Sequence, residues 1–233
     1  MKNYMHDIII NDIALKILRE VYKEGEQLPK EDVLCQEFNL SRTSVRAGLH
    51  SLRNMGLIVT RPKSGTFVAP QECWKVLDDS LLKIAENFNI PLFKMREIET
   101  FRRVLEPNIA AIAAQNSTLE DIHIMEQAVA VMMENCGDDN IKNYNDADLL
   151  FHTALIKSTH NSIFLHLEPT LRAAVSSSIK ITTPLDSSAE RLQAAEKHIE
   201  LINAIRIKDA DLARYLMTQM ILDSSRRAIL LGS

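Results

Sequence analysis

A chain of 233 residues with 46% hydrophobic and 25% charged side chains is long enough to form two modest domains. Its 6 glycines and 7 prolines exclude long disordered linkers, and the lack of a signal peptide or of an apolar run of about 18 residues predicts a cytoplasmic protein outside the membrane. The formal net charge of −4 would exclude nucleic acid as a partner only if that charge were spread evenly. Cys35, Cys73 and Cys136 are too widely spaced for a zinc cluster and are expected to be reduced thiols.

Three helices and a hairpin are predicted in residues 1–70. Apolar residues recur at the helical period over residues 7–21, Pro29 opens a short second helix, and Ser41 caps a third that runs to about Asn54. Two β-rich runs follow, separated by the basic turn 61–65. This order predicts a winged helix-turn-helix, with a domain boundary at residue 70.

The charge of this segment differs from that of the rest of the chain. Between Phe38 and Ala69 there are five basic residues and no Asp or Glu, whereas the residues after Ala69 carry 17 basic and 23 acidic side chains. Only the first of these segments is suited to a polyanion.

The third helix carries the candidate DNA contacts. Val45, Leu49 and Leu52 share a face at helical spacing, which leaves Arg42 and Arg46 together on the outer face. Arginines can fork onto phosphate or onto guanine in the major groove. Taken alone, two such arginines are equally consistent with a solvated basic face.

Residues 71–233 are predicted to be all-helical. Helices are expected at roughly 74–88, 91–115, 118–135, 141–159, 161–182, 187–206 and 208–230. Asp148 and His152, four residues apart on one of them, could bind a single cation together with His198 from a later helix. An ordinary surface or core contact between Asp148 and His152 is the alternative.

Arg102 lies in an otherwise apolar helix and needs an anionic partner if it faces inward. That partner is either a bound acid or Glu106, four residues later, in a surface ion pair.

The stretch LPKEDVLCQEFNLSRTSVRAGLHSLRNMGLIVTRPKSGTFVA closely resembles the DNA-binding domain of the GntR family of transcription regulators. The resemblance spans residues 8–69 and implies two sets of DNA contacts. The recognition helix supplies Ser41, Arg42, Thr43, Ser44 and Arg46, and the wing that enters the minor groove supplies Arg61, Lys63, Ser64 and Gly65. The family often has a DNA-contacting arginine after the glutamate of its Leu-Pro-x-Glu motif; this chain has Asp32 there, which predicts a different operator preference.

The segment from about Trp74 to Arg227 is similar to the FCD domain of the FadR subfamily of GntR regulators, on the stretches 101–114, 145–161 and 196–217. In metal-binding members an Asp and three His hold a divalent ion, often zinc or nickel, and the effector carboxylate completes the coordination. Asp148, His152 and His198 match three of these ligands, whereas Met220 replaces the fourth. The site therefore either keeps three protein ligands, with water or effector oxygen in the gap, or has lost its metal.

The resemblance also implies that Arg102, with Asp148, His152 and His198, binds an acidic effector. The stretch FRRVLEP, together with Trp74, Leu77 and Asp78, resembles the branch that responds to sugar acids, so an aldonate or uronate is expected; an acyl-CoA or an amino-acid-derived effector is the alternative. A homodimer on palindromic operator DNA is predicted, acting as a repressor, with activation as the alternative. The competing function is a metal-dependent hydrolase or isomerase acting on a sugar acid.

Overall fold

A computed structural model describes residues 5–88, 90, 95–137, 140–185 and 187–230. Within these residues the chain has ten α-helices and a single two-stranded sheet, which confirms the predicted mainly α class. It divides into two compact units, Met1–Leu92 and Phe93–Ser233. Of the helices described, none combines the length and apolarity that a membrane span requires.

The first unit is a winged helix-turn-helix, as predicted. Its elements are α1 (Met5–Leu18), α2 (Glu31–Phe38), α3 (Arg42–Asn54), β1 (Ile58–Arg61), β2 (Gly65–Val68), a single 3-10 turn (Gln71–Cys73) and α4 (Asp79–Asn87).

The turn between α2 and α3 is set by two local features. Asn39 ends α2 in the left-handed conformation with φ 51°, which asparagine tolerates better than most residues. Ser41 then caps α3, because its hydroxyl accepts a hydrogen bond from the backbone N–H of Ser44 at 3.2 Å. The buried face of α3, Val45, Leu49 and Leu52, fixes which side of the helix turns outward.

The wing is an antiparallel hairpin in which Ile58 pairs with Val68 and Arg61 pairs with Gly65. Gln27 forms a bridge to Phe67 on the outer edge of β2, and its side-chain amide donates to the carbonyl of Ser64 at 2.8 Å. Gly65 has φ 118°, and a Cβ there would lie 2.5 Å from Nε2 of Gln27, so this position requires glycine.

Helix α4 belongs to the first compact unit, since Leu81 and Ile84 lie in the same buried cluster as Leu52. The helix predicted from residue 74 begins later, because the carboxylate of Asp78 accepts hydrogen bonds from the N–H groups of Ser80 and Leu81 and caps it there. The boundary between the DNA-binding and the helical domain at residue 70 stays a prediction.

The second unit is a helical bundle, as predicted. It comprises α5 (Met95–Asn116), α6 (Leu119–Glu134), α7 (Ile141–Lys157), α8 (Ser162–Thr182), α9 (Ser188–Arg206) and α10 (Ala210–Leu230).

The bundle core runs between these helices, with α5 packed along α10, and α7 packed against both α6 and α8. Phe151 at the centre of α7 is fully buried, which contributes about 2–3 kcal/mol of hydrophobic stabilisation. Buried residues on α7 recur at Tyr144, Ala147, Phe151 and Leu155, and this periodicity carries Asp148 and His152 inward on the edge of the same face.

Candidate functional site

The first half of α3 presents polar side chains to solvent. Arg42, Thr43 and Arg46 are exposed, on the side of the helix away from its buried residues. The hydroxyls of Ser41 and Ser44 lie 2.9 Å apart and hydrogen-bond each other, so these two serines also form the cap of the helix. The predicted recognition residues therefore lie together at one end of α3.

Two acids of α2 lie against these arginines. Nη2 of Arg42 is 3.0 Å from Oδ1 of Asp32, and Nε of Arg46 donates to Oε2 of Glu31 at 2.8 Å. The segment between Phe38 and Ala69 contains no acidic residue, but in the fold two acidic side chains of α2 lie next to its arginines. This pairing depends on how α2 packs on α3, which the spacing of residues within one segment does not reveal.

The wing presents Arg61, Lys63 and Ser64 to solvent at its tip. The guanidinium carbon of Arg61 lies 4.8 Å from the ring centroid of Phe67, a cation–π contact that holds the side chain along the hairpin. Arg53 in the last turn of α3 donates to Oγ1 of Thr60 at 2.6 Å, which connects the wing to α3. This hydrogen bond joins the wing to the helix that carries Arg42 and Arg46.

In the bundle, Asp148 and His152 of α7 and His198 of α9 converge. Oδ1 of Asp148 lies 3.4 Å from Nε2 of His152 and 3.3 Å from Nε2 of His198, and one ligand atom of each residue lies within 4.8 Å of the others. The Phe151 ring contacts both imidazoles edge-on and supports them from the core side. These are the three residues predicted from sequence.

The outer nitrogens of the two imidazoles are held by the protein. Nδ1 of His198 donates to the carbonyl oxygen of Ala194 at 2.8 Å, because a carbonyl can only accept. Nδ1 of His152 faces Oε2 of Glu106 at 2.7 Å, without the alignment of a full hydrogen bond. Both Nε2 atoms are thereby directed at Asp148, the arrangement usual for metal-binding histidines.

The site offers polar atoms that the protein leaves unsatisfied. Oδ1 of Asp148 and Nε2 of His198 are buried and have no hydrogen-bond partner among the residues described. Because an unpaired buried polar atom is costly, a cluster of such atoms indicates a place for a ligand. One carboxylate and two imidazoles are a suitable donor set for zinc or nickel.

Electrostatic interactions within the cluster are strong. Burial raises the pKa of Glu106, but the charges of Arg102 and His152 outweigh burial and lower it to about 2. Burial lowers the pKa of His152, but Glu106 and then Asp148 outweigh burial and raise it to about 9. Burial also opposes ionisation of Asp148, yet His152 and His198 hold the pKa of Asp148 below its usual range. Both carboxylates are therefore ionised at neutral pH.

Arg102 reaches the same cavity from α5. Its Nε donates to Oε1 of Glu106 at 2.5 Å and its Nη1 donates to Oγ of Ser178 at 2.6 Å. The ion pair of Arg102 with Glu106, one of the two alternatives given by the sequence, is therefore present. It is buried, however, and not on the surface as that alternative predicted. Nη2 of Arg102 has no partner in the described part of the chain.

The cavity joins these residues to a polar rim. Arg102, Asp148, His152 and His198 line it together with Met220, the residue that the resemblance matches to a fourth ligand. Further lining side chains suited to hydroxyl groups include Thr183, Glu190, Gln193, Lys197 and Ser224.

The contact of Glu106 with His152 was not predicted from the sequence. The signal that the sequence offered was the i, i+4 spacing of Arg102 and Glu106, which does not reveal a neighbour on another helix.

Comparison with known proteins identifies both parts of the chain. Residues 7–68 match the model of the bacterial regulatory proteins of the gntR family, and residues 97–223, more than half of the chain, match the FCD domain. The galactonate operon transcriptional repressor of Escherichia coli K12 is 32% identical over 95% of this chain and 95% of its own length. The Uxu operon transcriptional regulator of the same organism is 28% identical over 91% of this chain and 82% of its own length.

Solved structures agree on the fold. A solved structure reported with Lar, which controls the expression of the Listeria monocytogenes agr system, aligns over the whole of both chains with a TM-score of 0.60 and 19% identity. The winged helix, the helical bundle and the family matches lead to the same assignment: the chain belongs to the gntR family of bacterial regulatory proteins, in the group that carries a C-terminal FCD domain.

Proposed function

We propose that this DNA-binding transcription regulator is a homodimeric repressor that leaves a palindromic operator when a sugar acid binds its FCD domain. The observation that carries the proposal is the cavity in which Arg102 faces the Asp148, His152 and His198 cluster. A relative named as a galactonate operon repressor supports a sugar-acid effector. The alternative of a metal-dependent hydrolase or isomerase is not supported, because the family and the named relatives are regulators.

A carboxylate suits the charge of the cavity. The unpartnered Nη2 of Arg102 is a charge-assisted donor on a side chain that is only 5% exposed. Arg102 would bind the acid, while the side chains of the rim would hydrogen-bond its hydroxyl groups.

Asp148, His152 and His198 would hold one divalent ion, and Met220 would leave the fourth position to water or to effector oxygen. When bound, the ion supplies a Lewis-acidic position for carboxylate oxygen. Arg102 and the three ligand residues would then bind the same carboxylate from different helices.

A thermal-shift screen tests the effector assignment. Aldonates and uronates are expected to raise the unfolding midpoint, whereas the parent neutral sugars, an acyl-CoA and free amino acids are not. Arg102→Lys keeps a cation beside Glu106 but lacks the planar fork of the guanidinium. The acid concentration that gives half of the maximal shift in unfolding midpoint should therefore rise by about tenfold or more in this variant. Arg103→Lys is the matched control, since Arg103 is exposed on the same helix. Equal responses of both variants would rule out Arg102 as the anchor.

Gel-shift titrations test the DNA assignment. Duplex sites enriched from a random pool by the wild-type protein should be palindromic, and sedimentation should show a dimer on them. Arg42→Ala and Arg46→Ala should each weaken binding by about tenfold or more, whereas Arg103→Ala should not. Failure to enrich any site would contradict the proposed function.

A further inference from the structure

Both arginines proposed to read DNA already have an acidic partner, but the two pairings differ. Glu31 binds Arg46 through Nε, which leaves both Nη nitrogens of that guanidinium for DNA. Asp32 instead lies 3.0 Å from Nη2 of Arg42, one of the two nitrogens that would form the fork. Glu31 therefore orients its arginine, whereas Asp32 occupies a nitrogen that DNA would use.

We propose that Asp32 is a specificity-determining residue, which competes with DNA phosphate for Arg42 and so suppresses binding to random sequence. The inference rests on the proposed function, in that α3 is taken to be the helix that enters the groove.

The ion pair has little structural importance. The side chains of Arg42 and Asp32 are 69% and 65% exposed, and ion pairs with this exposure add little to stability. A carboxylate in the first turn of α2 also favours that helix, but Glu31 already provides this interaction one residue earlier. The pair is therefore better explained by its effect on the binding of Arg42 to DNA.

DNA phosphates are that partner. When Arg42 turns to a phosphate it loses Asp32, and the carboxylate is left close to the negative backbone. At a random site phosphate is all that Arg42 gains. At an operator a bidentate contact with a base edge offsets the lost ion pair, so the penalty falls mainly on random sequence.

The test compares wild type, Asp32→Asn and Glu31→Gln, two variants that remove one negative charge from adjacent positions. Anisotropy titrations of the full-length proteins use a labelled random-sequence duplex and a duplex enriched from a random pool by wild type, between about 50 and 200 mM salt. Thermal unfolding of each protein checks that the substitutions leave the fold intact.

Asp32→Asn is expected to bind the random duplex about fivefold tighter or more. The slope of log affinity against log salt concentration should become steeper by about 0.9 per subunit. Its affinity for the enriched duplex should change less, so the ratio of the two affinities falls. Glu31→Gln should show a smaller gain on random DNA. Asp32→Ser, which also lacks the charge, should repeat the result of Asp32→Asn.

Equal gains for Asp32→Asn and Glu31→Gln would overturn the inference, because net charge alone would then explain them. An unchanged ratio of random to enriched affinity would overturn it as well. Both outcomes leave the enriched site and the loss of binding in Arg42→Ala intact, so they are distinguishable from failure of the proposed function.

Discussion

The carboxylate of Glu106 lies 2.7 Å from Nδ1 of His152, on the side of the imidazole opposite to Asp148. Glu106 is 1% exposed and also accepts the hydrogen bond from Nε of Arg102, so one buried acid contacts both the proposed effector anchor and a proposed metal ligand. Removing such a partner of a metal-binding histidine reduces its basicity and frees its orientation.

Glu106→Gln is therefore expected to lower zinc or nickel affinity by about 10- to 100-fold, measured by competition with a chelating dye. Glu120→Gln, an exposed change on α6, serves as the control. Glu106→Ala should in addition destabilise the bundle by about 3–5 kcal/mol, because it leaves the charge of Arg102 buried and unpaired. Unaltered metal affinity in the Gln variant would show that Glu106 does not support His152.

Met220→His should strengthen metal binding by at least about tenfold, because an imidazole is a better ligand than a thioether for these ions. Met220 lines the cavity and is only partly buried, which leaves room for the exchange. Met220→Leu keeps the apolar volume without a ligand atom and is expected to match wild type. If the His and Leu variants bind metal alike, position 220 does not face the ion.

Gly65→Ala is expected to destabilise the wing by about 1–3 kcal/mol and to weaken DNA binding. The new methyl group would force Gln27 away and break its hydrogen bond to Ser64. Gly25→Ala is a control without a steric clash, since Gly25 has φ 76°, nearer the left-handed region, and its Cβ would meet nothing within 4 Å. Gly25→Ala should cost less and leave DNA affinity unchanged in a gel shift; equal effects would assign the cost to backbone conformation alone.

The N-terminus of α6 should give a pH-dependent part of the stability. Thr118 and Asp121 form a capping box, and Oδ2 of Asp121 also lies 2.7 Å from Nε2 of His160. Burial raises the pKa of Asp121, but hydrogen bonds from Thr118 and then His160 outweigh burial and lower it below the usual value. A lowered carboxyl pKa stabilises the fold above the unfolded-state pKa of about 3.9, and this contribution is lost as pH falls through the folded-state value.

Asp121→Asn should therefore lower stability by about 1 kcal/mol at neutral pH, and the difference from wild type should close below about pH 4. Thermal unfolding midpoints between neutral and acidic pH provide the measurement. Glu120→Gln, one residue earlier and exposed, should show no such pH dependence. A constant difference at every pH would mean that the charge of Asp121 is irrelevant.

Periodicity and capping predicted most of the fold, because they are local. Ser41 and Gly56 bound α3 within one or two residues, and the predicted bundle helices begin and end within a few residues of those found, apart from ends that lie outside the described residues. Asp78 was missed as a cap because apolar residues on either side of it continue the helical pattern. The assignment of α4 to the first unit depends on where Leu81 and Ile84 pack, which is a tertiary property.

The site could be predicted only in part. The i, i+4 spacing of Asp148 and His152 is local, whereas His198 lies on a distant helix, and its assignment to the same site gained its main support from the family resemblance. The pairing of Asp32 with Arg42 and of Glu106 with His152 depends on helix packing, so no spacing within one segment reveals either contact.

The buried polar contacts of the bundle form one continuous series. Ser178 of α8 accepts from Arg102, Arg102 pairs with Glu106 on α5, Glu106 contacts His152 of α7, and Asp148 connects α7 to His198 of α9. Four helices therefore share a single set of charges that must be satisfied together. A small anion that took over one of these partners would leave a buried charge unpaired, which would favour a different arrangement of the helices that carry the series.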